Sequence, residues 1–198
     1  MPNHVTNILR VSGDPEQVRA MFEAIKDDKI GLGSIDFNKV IPMPAHIFRG
    51  NLGMAEREKY GKENWYDWSI SNWGTKWNSY GYDGAYTPQD FDGEHIEFQT
   101  AWSRADPVIR TLAEQYPDLS FEYLWADEDF GYNTGKKEYE NGEEMFCEIP
   151  PGGSKEALEF AAEVHDVDLA DEGYLYNEET NEYEYEYHNP DESMSLKM

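Results

Sequence analysis

Ile96-Glu97-Phe98-Gln99-Thr100-Ala101-Trp102 alternates side chains at a period of two, with Ile96, Phe98, Thr100 and Trp102 on one face. This is the pattern of a half-buried strand. Asp106-Pro107 follows. A carboxylate at the N-cap accepts from free first-turn amides, and proline at the first helical position lacks only an N–H that has no partner there. Val108, Ile109, Leu112, Ala113 and Tyr116 then recur at helical spacing, and Pro117 stops the run. Leu119, Phe121, Tyr123 and Trp125 form the apolar face of a second strand, with Leu124 an apolar exception on its other face.

Toward the N-terminus the same grammar recurs. Val5, Leu9 and Val11 share one face of an extended run. Asp14-Pro15 repeats the cap pair, and Gln17 completes a capping box. Val18, Met21, Phe22 and Ile25 make a helical stripe, Gly31 and Gly33 follow, and residues 35–41 read as an extended run ending at Pro42. Strand–helix–strand twice over is the split βαβ plan. It predicts an α+β core over residues 1–127, a four-stranded antiparallel sheet with two helices on one face.

Two regions exceed that plan. Residues 43–93 are too long for a structureless loop, so they form an insertion with its own structure, including a short helix over residues 54–60. Residues 128–198 form an extension packed on the core. In it, Asn141-Gly142 marks a hairpin turn, residues 145–149 a strand, and Ser154 caps a helix through Ala157, Leu158, Ala161 and Val164. Residues 174–176 and 182–187 read as a last hairpin, with Tyr183, Tyr185 and Tyr187 on one face and carboxylates on the other. From about Asn189 the tail reads as frayed.

The formal net charge is −25 over 198 residues. Phosphate binding rests on Lys and Arg displacing counterions, so this charge argues against direct nucleic-acid binding and against anionic membranes. It suits solubility or a basic protein partner. Residues 156–196 hold 14 of the 41 acids and no Lys or Arg, so more than half the net charge sits there. The single cysteine, Cys147, excludes an intramolecular disulfide and fits a reducing compartment. No apolar run approaches membrane-spanning length, and no basic leader opens the chain, so the expected location is the cytoplasm.

Candidate sites are few. Trp65, Trp68, Trp73 and Trp77 crowd a short span with Lys76. Trp73, Lys76 and Trp77 read either as a recognition patch or as a satellite core that holds the insertion onto the sheet. The histidines His4, His46, His95, His165 and His188 stand in no ligand-spaced motif. Cys147 has no base nearby in sequence and reads as a structural thiol. No catalytic residue, metal site or cofactor follows from the residues. The strands lack the glycine-aromatic motif of RNA-binding sheets.

Asp67-Trp68-Ser69-Ile70-Ser71-Asn72-Trp73-Gly74-Thr75-Lys76-Trp77-Asn78 resembles the central signature of the YubB-type ferredoxin-like family. So do Phe98-Gln99-Thr100-Ala101-Trp102-Ser103, the opening Pro2-Asn3-His4, and Phe37-Asn38-Lys39-Val40-Ile41-Pro42-Met43-Pro44. The resemblance covers roughly residues 1–145. It implies a ferredoxin-like fold and carriage on bacteriophages and plasmids, with no known catalytic residues. It implies no iron–sulfur cluster, which one cysteine could not hold.

These readings converge on a non-enzymatic interaction module of a phage or plasmid. It would bind a host nucleic-acid-handling or defence protein that carries a basic surface. The expected contact residues are Asp168, Asp171, Glu172, Glu178, Glu179, Glu182, Glu184 and Glu186, whose carboxylates would imitate phosphates. The alternative is a small-ligand or enzymatic site in the 43–93 insertion. A third reading is an oligomer that pairs through a sheet edge.

Overall fold

Val5, Leu9 and Val11 line one face of β1 (His4–Ser12), a strand buried along its apolar side. The structure is a computed structural model that describes residues 2–186. Asp14 caps α1 (Pro15–Ile25) by accepting from the backbone N–H groups of Glu16 and Gln17 at 3.1 and 3.2 Å. Short helices α2 (Phe37–Val40), α3 (Met54–Tyr60) and α4 (Trp65–Asn72) follow, then a 3-10 turn at Pro88–Asp90. The core resumes with β2 (His95–Ala101), α5 (Asp106–Gln115) and β3 (Ser120–Asp127). The chain continues through β4 (Gly135–Glu140), β5 (Glu143–Glu148), α6 (Lys155–His165), β6 (Tyr174–Asn177) and β7 (Glu182–Tyr185). Tyr187 of the expected last hairpin, and the tail from Asn189, lie outside the described residues.

The main sheet has five antiparallel strands in the order β2-β1-β3-β4-β5. The first strand in sequence is therefore interior, and the later βαβ unit closes on both of its sides, as in a ferredoxin-like core. On one face, α1 and α5 pack Met21, Phe22, Ile109 and Leu112 against Leu9, Phe98, Phe121 and Trp125. On the other face α6 sets Ala161 and Val164 against Ile8, Leu124 and Ala126. That second layer explains Leu124: this side of β3 is also covered. Fully burying each such side chain stabilises by about 1.5–3 kcal/mol.

Two local expectations are corrected. Residues 35–41 form no strand. Asp36 caps the single turn of α2, its carboxylate accepting from the Asn38 N–H at 2.9 Å. The Ile35 and Phe37 N–H groups donate to Tyr82 Oη and Asn78 Oδ1, side chains of the insertion, instead of to a strand. The β2 edge left open is met by Tyr80, which exchanges both backbone hydrogen bonds with Gln99. The sheet gains its further strands on the opposite side, where Asn141 and Gly142, both at positive φ, make the tight turn between β4 and β5. Second, Asp106 does not cap α5. The N-cap is Ala105, and the Asp106 carboxylate faces Lys137 Nζ at 2.9 Å.

Candidate functional site

The Asn72-Trp73-Gly74-Thr75-Lys76-Trp77 stretch divides residue by residue. Trp73 is buried at 4% exposure, packs edge-on against Phe37 and Trp68, and donates its indole N–H to Ile41 O at 2.9 Å. Gly74 sits at φ +80°, and a Cβ there would lie 2.8 Å from Pro107 Cδ, so no other residue fits without a shift. The buried Thr75 hydroxyl donates to Ala101 O at 2.9 Å and accepts from Ala101 N–H at 3.1 Å, standing in for a strand neighbour. These three anchor the insertion. Trp73 thus leaves the expected recognition patch and belongs to the core.

Lys76 and Trp77 turn the other way. Trp77 is 37% exposed, and Lys76 Nζ lies 4.5 Å from its ring centre. The same ammonium lies 4.6 Å from the ring of Trp102, which is 43% exposed, and 5.9 Å from that of Tyr66. Alternation along β2 points Trp102 inward. Instead its backbone turns to φ +67°, an uncommon conformation for a bulky residue. A polar clamp holds it there. Trp102 N–H donates to Asn3 O, and Asn133 Nδ2 donates to Trp102 O. Both asparagines also donate to the buried Asp127 carboxylate, at 3.0 and 2.9 Å. Periodicity hides Trp102 and Tyr66 from the patch, because the clamp joins residues remote in sequence.

The acidic extension contributes α6 and the β6–β7 hairpin. On the β6–β7 hairpin, Tyr174 pairs with Tyr185 and Tyr176 with Tyr183 on one face. That face is only partly covered, with Tyr176 43% and Tyr185 61% exposed. Tyr174 stacks on Phe130, which stacks on His165 of α6, and Lys155 Nζ sits 4.5 Å over the Tyr176 ring. The alternate side chains, including Glu182 and Glu184, lie on the opposite face, Glu184 accepting from Asn177 Nδ2 at 2.6 Å. Asp168, Asp171, Glu172, Glu178, Glu179, Glu182, Glu184 and Glu186 are all exposed.

A cavity of about 410 Å³ opens between β1, β2 and the end of α6, with Arg10, Asp90, His95, Glu97, Glu163 and Asp166 on its wall. Asp92 pins the His95 ring at 2.7 Å from Nδ1, while Glu97 lies 3.9 Å from Nε2. Burial lifts the Glu97 carboxyl above its ordinary range, against the opposing pull of His95 and Arg10. Among the described residues, no group of three or more His, Cys, Asp or Glu side chains is placed to hold a metal ion. Cys147, expected as a structural thiol, is exposed on β5.

Among the described residues no helix is long and apolar enough to cross a membrane. No curated protein and no solved structure matches the chain. Residues 81–168, which carry β2, α5, β3, β4, β5 and α6, match the family described as the ferredoxin-like domain in Api92-like protein, in agreement with the α+β fold.

Proposed function

We propose that this chain is a non-enzymatic interaction module of a phage or plasmid that engages a basic protein through the carboxylates of residues 168–186. The partner is a host nucleic-acid-handling or defence protein, and the carboxylates stand where its nucleic-acid phosphates would. One observation supports this reading above the others: the carboxylates are carried on a paired β6–β7 hairpin that Tyr174 tethers by stacking on Phe130, so they project from a folded scaffold rather than a coil. An ordered array presents fixed negative charge, as a phosphate backbone does, whereas a random acidic coil spends binding energy on ordering.

The test uses the tagged full chain and a variant carrying Glu178→Gln, Glu179→Gln, Glu182→Gln and Glu184→Gln. The wild type should capture a basic protein from bacterial lysate, and added duplex DNA or salt should release it. The variant should keep the same circular dichroism spectrum and lose the capture. A partner held equally by both forms, or indifferent to duplex DNA, would overturn the reading.

A further inference from the structure

The chain-wide charge conceals a local inversion. Residues 43–80 carry five bases, Arg49, Arg57, Lys59, Lys62 and Lys76, against four acids, a net +1 in a chain of −25. Every ion pair among the described residues falls outside this segment. Two of the segment's four acids are engaged with its own backbone and amide groups. Glu56 closes the start of α3 by accepting from Gly53 N–H, and Asp67 accepts from Asn64 Nδ2. In a chain so rich in carboxylates, a group of unpaired bases stands apart from ordinary surface charge.

Three of these bases, Arg57, Lys59 and Lys76, lie over aromatic rings. Arg57 sits 5.3 Å over the Tyr66 ring, and Lys76 approaches the same ring from 5.9 Å. Lys76 in turn lies close to the exposed rings of both Trp77 and Trp102. The two indoles share one ammonium, so their centres are no farther apart than the two cation–ring distances together. A base can stack on either exposed ring while the flexible lysine swings to a neighbouring phosphate. The clamped backbone of Trp102 keeps its ring exposed at a cost in local strain.

We infer that this strip binds single-stranded nucleic acid, with bases stacking on Trp77, Trp102 and Tyr66 and phosphates meeting Lys76 and Arg57. Every base offers a π face and every linkage a negative charge, so an aromatic and cationic strip fits any single strand without reading its sequence. Duplex DNA buries its bases and gains only the charge term. The acidic extension repels the ligand, but salt screens that repulsion beyond about 8 Å at physiological ionic strength. Binding is therefore of the weak, salt-dependent kind. It is independent of the carboxylate surface proposed above, because it uses other residues and opposite charge.

Fluorescence anisotropy of a labelled oligothymidylate of about 12 nucleotides tests it, with the full chain as titrant. Binding should weaken as salt rises and exceed binding to a duplex of equal length. Trp77→Ala and Trp102→Ala should each weaken it by about fivefold or more. Lys76→Gln, which leaves the core packing of Trp73 untouched, should lower the salt slope by about 0.7. The variant with four hairpin glutamates neutralised should bind at least as tightly as wild type. No anisotropy change up to about 100 µM protein would overturn the inference. So would equal affinity of a folded Trp77→Ala protein, or equal competition by polyglutamate, which would make the strip a site for acidic protein.

Discussion

Asn7 is fully buried in the middle of the apolar face of the sheet. Its Nδ2 donates to Val5 O at 2.8 Å and Thr100 Oγ1 at 3.0 Å, and its Oδ1 accepts from the Tyr123 hydroxyl at 2.6 Å. The same hydroxyl accepts from Ala105 N–H at 3.0 Å. One phenol therefore ties β1, β3 and the start of α5. Burial raises the Tyr123 hydroxyl well above its ordinary pKa, so it stays a neutral donor at working pH. Tyr123→Phe strands two buried polar groups and should cost about 1–3 kcal/mol in a urea unfolding measurement; an unchanged midpoint would refute the network's role. Little of this was legible in the sequence. Asn7 reads only as a gap in an apolar face, because its partners lie 93 and 116 residues away. Trp73 and Trp77 are alike in sequence for the same reason: local spacing does not say which indole meets Ile41.

Elements with strong local codes came through. Asp14-Pro15, Ser154 and Asn141-Gly142 each act where their chemistry predicts, since caps and tight turns are settled within four residues. The stretch at 35–41 failed because its backbone partners are side chains of the insertion, and because Asp36 supplies a cap that outcompetes extension. On β2, Glu97 gives a prediction tied to pH. Its folded pKa is raised, so the protonated form favours folding. That contribution is full below the unfolded carboxylate range and is lost as pH rises through the folded value. At neutral pH the charged form opposes folding. Glu97→Gln should therefore raise the melting temperature near neutrality and lose that advantage at about pH 3. Equal gains at both pH values would show that packing, not charge, is responsible.

The whole molecule separates into a scaffold and two surfaces of opposite character. Average charge predicted one of them and hid the other, because a net of −25 says nothing about where unpaired bases collect. The ferredoxin-like plan was readable from repeated periodicity, while the order β2-β1-β3-β4-β5 depends on pairings no local pattern encodes. That order makes a further prediction. A fragment of residues 1–93 contains β1 but neither of its neighbours, so it should lack cooperative thermal unfolding by circular dichroism, and a cooperative transition would contradict the pairing scheme. The same arrangement bears on how the protein is made. Among the strands of the main sheet β1 leaves the ribosome before its neighbours and waits for residues 95–127 before either side is filled. Until then Val5, Leu9 and Val11 have no sheet to join, so the nascent chain is most open to chaperones or to aggregation before β3 emerges.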